Sequence, residues 1–227
     1  MNESIPTARR PALTLRSARL IAVLALLVVT LTNAATAAPL VSDGTFTTPT
    51  SSGDLMFSAG QTFGSWTVVS GNIDLLSTTY WQPPAAGQQT VDMNGIVPGS
   101  ISQSISTAAG QTYLLTFSLS GNVGATGIDV LGVYFGGTQV GSPSFNTAGY
   151  TTSNMGWVSE QFYVQATSSS TLLQFTSLQS AASANGPVLG NVAMTAVPEP
   201  SADVLVLSLV LLLASQIRRG RTLEAGR

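Results

Sequence analysis

The chain of 227 residues contains no cysteine, no histidine and no lysine. Without cysteine it has no disulfides, no thiolate metal ligands and no thiol nucleophile. Without histidine and lysine it also lacks the usual general base, the imidazole metal ligand and the amine nucleophile. Its eight cations are all arginines at the ends: Arg9, Arg10, Arg16 and Arg19, then Arg218, Arg219, Arg221 and Arg227. The stretch between carries Asp43, Asp54, Asp74, Asp92, Asp129 and Glu160, so residues 38–196 have a formal charge of 0 − 6 = −6. A segment with no cation cannot neutralise phosphates, which excludes nucleic acid as a partner. Nor can it form internal salt bridges, so each carboxylate must be solvated, hydrogen-bonded or metal-bound. The catalytic chemistry left is that of a glycosidase-type carboxylate pair, and no spacing in the sequence pairs two of these acids. The sequence is accordingly not expected to encode an enzyme.

The two ends read as addresses. Four arginines precede the apolar run of residues 20–31, and Ala35-Thr36-Ala37 fits the small-residue cleavage pattern of a signal peptide. The cut is expected after Ala37, because a cut one residue later would leave Pro39 first. Residues 1–37 are then a signal peptide recognised by signal peptidase. The alternative is a permanent anchor, for which the run falls short of the roughly 20 apolar residues that a bilayer needs. Arg9-Arg10 is followed by Pro11-Ala12 rather than a twin-arginine continuation, which favours the general secretory route. At the other end, Val197-Pro198-Glu199-Pro200 precedes a 14-residue apolar run, residues 204–217, closed by Arg218, Arg219 and Arg221. Arginines after such a run hold the tail in the cytoplasm and leave the preceding domain outside.

Pro198-Glu199-Pro200, the apolar helix and the arginine cluster together resemble the PEP-CTERM sorting signal. That resemblance implies recognition by an exosortase, a membrane transpeptidase-like protein of exopolysaccharide-producing bacteria. It makes residues 197–227 a sorting signal with a transient transmembrane helix in the inner membrane. A simple tail anchor has the same hydropathy and stands as the alternative.

Residues 38–196 are long enough for one domain with a core. They are rich in Ser, Thr, Gly and β-branched residues, which favour strands. Period-2 runs recur between turn signals. Residues 66–69 and 73–76 flank Ser70-Gly71-Asn72 and read as a hairpin. Residues 90–93 end at Asn94-Gly95, and Ile101, Gln103 and Ile105 alternate with serines. Tyr113, Leu115, Phe117 and Leu119 share one face, and residues 128–135 end at Gly136-Gly137. Val158, Phe162, Val164 and Ala166 mark another strand, Leu173 and Phe175 point inward in the next, and residues 188–195 close the series. Eight or nine short strands predict an all-β, two-sheet sandwich.

The order of Trp66-Thr67-Val68-Val69-Ser70-Gly71-Asn72-Ile73-Asp74, Tyr80-Trp81, Val91-Asp92-Met93-Asn94-Gly95, Pro98-Gly99-Ser100 and Gly186-Pro187-Val188-Leu189-Gly190-Asn191-Val192 resembles the choice-of-anchor C family. That family is related to plant cell-wall domains of unknown function. The resemblance implies a galactose-binding-like jelly roll, an extracellular setting and a carbohydrate ligand, with no established activity. In related jelly rolls an acid at the position of Gly190 helps hold a structural calcium. Its absence here leaves Asp43, in Ser42-Asp43-Gly44, as the calcium candidate; no other cofactor is implied.

Carbohydrate recognition uses aromatic faces for sugar C–H surfaces and Asp or Asn for hydroxyls. Tyr80 and Trp81 beside Pro83-Pro84 form a candidate platform, with Asp92, Asn94 and Asn122 as polar partners. Each has a plain structural alternative: core packing for Trp81, as for Trp66 and Trp157, and an Asx turn for Asp92 and Asn94. The sequence therefore points to an exported, non-catalytic surface or matrix protein that binds exopolysaccharide or matrix glycan. A structural biofilm protein with no small ligand is the rival, and a glycan hydrolase the remote one.

Overall fold

The computed structural model describes residues 40–181 and 183–198. The expected signal helix and the C-terminal membrane helix lie outside these residues. Within them the chain forms strands β1 (Asp54–Ser58), β2 (Thr62–Phe63), β3 (Trp66–Ser70), β4 (Asn72–Leu76), β5 (Thr90–Asp92), β6 (Ser100–Ser106) and β7 (Thr112–Gly121). There follow β8 (Ile128–Phe135), β9 (Thr138–Gly141), β10 (Ser144–Asn146), β11 (Val158–Gln165), β12 (Ser170–Ser177) and β13 (Pro187–Ala196). One sheet has the order β1-β4-β5-β13-β7-β11. The other has the order β10-β8-β12-β6-β3-β2, with β9 added beside β8. The pairings are antiparallel, so the expected all-β sandwich is what forms.

Alternation builds the core as the sequence predicts. Tyr113, Leu115, Phe117 and Leu119 of β7 face Leu173 and Phe175 of β12 and Ile101 and Ile105 of β6, and all are buried. A chain of rings crosses the layer: Phe46 to Trp66 at 5.5 Å, Trp66 to Phe175 at 6.0 Å, and Phe175 edge-on to Phe117 at 5.2 Å. Burial of each such side chain stabilises the sandwich by about 1.5–3 kcal/mol. Gln103 points to the same face as Ile101 and Ile105. Its amide bonds the Ser42 N–H and carbonyl at 2.8 Å each and the Ser65 carbonyl at 3.1 Å, fastening the segment before β1.

The hairpin expected around Ser70-Gly71-Asn72 does not form. β3 pairs with β2 and β6 in one sheet, whereas β4 pairs with β1 and β5 in the other. Gly71 is the corner between sheets. It takes φ +59°, and a Cβ there would strike the Pro98 carbonyl. The switch lets Trp66 and Val68 enter the core from one layer and Ile73 and Leu75 from the other. β1, β2, β9 and β10 are four strands beyond those the alternation predicts.

The six-stranded sheet positions the surface that matters below. On its outer face, Tyr163 of β11 is in register with Leu114 of β7 and Thr195 of β13, and Gln161 with Thr116 and Ala193. A bulge between Gly190 and Ala193, where Asn191 takes φ +50°, bends β13 beside this face. At the chain's exit the Val197 N–H donates to the Thr112 carbonyl at 2.9 Å, and Gln111 Nε2 to the Val197 carbonyl at 2.7 Å.

Candidate functional site

The sequence candidates separate into two places. Asp92, Asn94 and Asn122 come together, with Asp92 and Asn94 inside the protein and Asn122 half-buried. Asp92 and Asn94 are 2% and 1% exposed. Asp92 Oδ1 accepts the Asn94 N–H at 2.9 Å, and Oδ2 accepts Asn122 Nδ2 at 2.7 Å. Asn94 Nδ2 donates to the Ser183 carbonyl at 2.9 Å, while its Oδ1 has no hydrogen-bond partner among the described residues. Asn122 Oδ1 accepts the Gly124 N–H at 2.9 Å. These side chains staple the end of β5 to the end of β7 and to the loop before β13.

Burial holds the Asp92 carboxyl well above the usual carboxylate range. The two accepted hydrogen bonds oppose that shift, and Asp74 and Asp129 reinforce it. Asp74 lies directly across from Asp92 in the β4–β5 register and is raised by its own burial and by Asp54. The sheet thus pairs two carboxylates that sequence spacing had not. Asp92, enclosed with both oxygens bonded, has no surface for a substrate. Asp129 is raised by burial as well, against hydrogen bonds from the Asn122 N–H at 3.1 Å and Gln179 Nε2 at 2.6 Å.

Tyr80 and Trp81 divide. Tyr80 is 48% exposed. Trp81, 9% exposed, packs with Leu76, Met155 and Val188 in a small apolar cluster separate from the main core, so its face is not part of an open platform. The cause is alternation: Leu76 and Val188 point away from the core and need a cover, which Trp81 and Met155 provide.

Gln82, which nothing in the sequence singles out, locks this cover in place. Its N–H donates to the Thr152 carbonyl at 2.8 Å, its Oε1 accepts the Met155 N–H at 2.8 Å, and its carbonyl accepts Trp157 Nε1–H at 2.9 Å. Two loops, around residues 80–84 and 150–157, are thereby fixed together, carrying half-exposed Tyr80, Tyr150 and Trp157. A glutamine between aromatics and prolines is a weak sequence signal, because its role depends on a loop 70 residues away.

Asp43 sits in a turn with φ +49°. Its Oδ1 accepts the Thr47 N–H at 2.8 Å, its carbonyl accepts Trp66 Nε1–H at 3.1 Å, and its buried Oδ2 has no hydrogen-bond partner among the described residues. That single carboxylate oxygen is suited to a cation. Calcium takes six to eight oxygens, commonly with several carboxylates. No group of three acidic or other metal-ligating side chains occurs among the described residues, and Pro84 packs where a side chain at Gly190 would stand. The side chains present supply one carboxylate there, too few for a site built on carboxylates. Of the sorting-signal residues, Val197 and Pro198 are described; Glu199, Pro200, Arg218, Arg219 and Arg221 lie outside the described residues, as do Ala35 and Ala37 of the cleavage site.

Fold and site together define a two-sheet antiparallel β-sandwich domain, cation-free, with amide-clamped aromatic loops over one sheet. Residues 39–195 match the family described as protein of unknown function (DUF642), and the chain belongs to that family. No curated protein matches it. Similar solved structures include a family 35 carbohydrate binding module from Clostridium thermocellum, 16% identical, covering 64% of this chain and 100% of that one, with a TM-score of 0.44. The CBM22-1 xylan-binding domain of Xyn10C from Paenibacillus barcinonensis is 14% identical, covering 73% and 98%, with a TM-score of 0.44. TmCBM61, solved with beta-1,4-galactotriose, is 15% identical, covering 70% and 99%, with a TM-score of 0.41.

Proposed function

We propose that this protein is a non-catalytic carbohydrate-binding protein exported to the cell surface or extracellular matrix. The observation that carries the binding role is the loop pair clamped by Gln82, which holds Tyr80, Tyr150 and Trp157 partly open. Rigid aromatic faces next to free hydroxyl and amide groups suit sugar rings. The Asp74–Asp92 pair does not suit hydrolysis, because Asp92 is enclosed with both oxygens hydrogen-bonded.

The export half of the proposal rests on the sequence. Signal peptidase cuts after Ala37, an exosortase reads Val197-Pro198-Glu199-Pro200, and the C-terminal helix anchors the precursor in the inner membrane until then. The ordered motifs shared with the choice-of-anchor C family accord with a domain displayed through such a tail. Binding is tested by presenting the full chain, in detergent, to a glycan array with and without calcium. Absence of any glycan signal in both conditions would refute the binding role. One observation favours a matrix-forming rival: β11 is an eight-residue edge strand with no proline and no cation, features that otherwise guard a free edge. Self-association of the purified chain without glycan would support that rival.

A further inference from the structure

We propose that the glycan site extends over the outer face of β11, β7 and β13, and that its ligand is an uncharged polysaccharide rather than a uronate polymer. This rests on the carbohydrate-binding reading above and deepens it. Alternation turns Ser159, Gln161 and Tyr163 of β11 outward, in register with Ser118, Thr116 and Leu114 of β7. Tyr163 is 68% exposed, more than any other large hydrophobic side chain among the described residues. Gln161, Ser159, Thr116 and Ser118 make no side-chain hydrogen bond to other described residues, and Gln161 and Ser159 are exposed. Strand spacing makes the patch about 10 Å across three strands in the rows of Tyr163 and Gln161 and about 14 Å from Ser159 to Tyr163, with Pro84 covering Gly190 of β13 in the Ser159 row. It has an end wall: Trp157 immediately precedes β11 and is fixed to Gln82 at 2.9 Å.

Charge selects the ligand class. No Arg or Lys lies between residues 20 and 217, so no guanidinium or ammonium can meet a sugar carboxylate. With carboxylates such as Asp43, Asp54 and Glu160 and no cation, the domain's field repels an anionic polymer. None of those acids projects from the three strands of the patch: Glu160 alternates to the other side of β11, Asp92 and Asp74 belong to β5 and β4 beyond β13, where Asp92 is enclosed, and Asp129 belongs to β8 of the other sheet. A cationic glycan therefore finds no partner on the patch either. Hydroxyls, amides and a phenol ring recognise neutral polyols.

The test uses the full chain in detergent with unsubstituted β-1,4-linked xylan, β-1,4-linked galactan, polygalacturonate and deacetylated chitosan, read by affinity electrophoresis and calorimetry. The expected result is retention by a neutral glycan and not by polygalacturonate, with Tyr163→Ala weakening binding by about tenfold. Tyr134→Ala, on the outer face of the other sheet, should leave binding unchanged, and both variants should unfold at the wild-type temperature. Wild-type binding to a neutral glycan that Tyr163→Ala leaves intact overturns the location but not the binding role. Preference for polygalacturonate or chitosan overturns the ligand class. Failure of the wild type to bind any of the four and any arrayed glycan overturns the underlying carbohydrate reading.

Discussion

The buried carboxyl of Asp92 should make this protein lose stability as pH rises, the reverse of the usual carboxylate pattern. A salt-bridged acid has a depressed folded-state pKa and stabilises above its unfolded value. Asp92 has no cation to meet, and burial raises its carboxyl well above the unfolded value of 3.8. The folded state then holds a proton that the unfolded state has released. Its stabilising contribution is complete below about pH 4 and is lost as pH climbs through the raised folded pKa. One such proton gives a slope of at most about 1.4 kcal/mol per pH unit. For a domain of this size that corresponds to roughly 3–6 °C of unfolding temperature per pH unit. Asp74 and Asp129, raised by burial too, tilt the curve the same way. The assay is thermal unfolding followed by fluorescence of the fully buried Trp66 between pH 4 and pH 9, in wild type and Asp92→Asn. The replacement amide keeps one acceptor but turns N–H groups toward either the Asn94 N–H or the Asn122 amide, costing about 1–3 kcal/mol at acid pH. That deficit should shrink toward alkaline pH, where the wild type buries a charge and the variant does not. A wild-type unfolding temperature that rises from pH 4 to pH 7, or a variant with an undiminished slope, would refute the reasoning.

Three further outcomes are expected. Trp66→Ala, which removes the ring linking Phe46 to Phe175, should destabilise by about 3–5 kcal/mol in urea unfolding. Replacing EDTA by calcium on the order of 10 mM should move the unfolding temperature by less than about 1 °C, because a site filled to a hundred times its Kd would add about 2.7 kcal/mol and several degrees. Pro198→Ala combined with Glu199→Ala should leave a membrane-bound precursor on an immunoblot; unchanged maturation would remove exosortase recognition.

Periodicity made the layers legible. Strands with one buried and one open face, such as β6, β7 and β12, alternate clearly because each inward position meets the core. β1 did not stand out: Leu55 and Met56 are both substantially exposed, so it has no alternating signature and is held by pairing with β4. β2, β9 and β10 are two to four residues long and depend on their neighbours in the same way. The false hairpin at Gly71 shows the limit of local turn chemistry. A glycine between two strands permits a turn, but whether the strands pair or part into two sheets depends on Pro98, 27 residues onward. Asp92, Asn94 and Asn122 were legible as a group of Asx residues at strand ends, and their order does not distinguish a ligand contact from a buried staple. Tyr163 alternates outward from Phe162 and Val164, but a lone outward aromatic carries no sequence mark that separates a ligand contact from an ordinary exposed side chain.

The missing cations explain more than the charge. A domain with neither Arg nor Lys must fasten its loops and hold its acids by other means, and here amides do both. Gln89 Nε2 donates to the Phe46 and Pro49 carbonyls, Gln103 ties the segment at Ser42, and Gln82 joins the two aromatic loops. Asn122 and Gln179 supply the donors on Asp92 and Asp129 that arginine would supply elsewhere. A neutral donor offsets less of the desolvation than a charged one, which is why these carboxyls are raised rather than depressed. The same economy of charge leaves the outer face of β11 and β7 with hydroxyls, an amide and one open phenol ring. The raised acids inside and the uncharged face outside therefore share one origin, and the pH profile of unfolding and the neutral-glycan preference test it by separate routes.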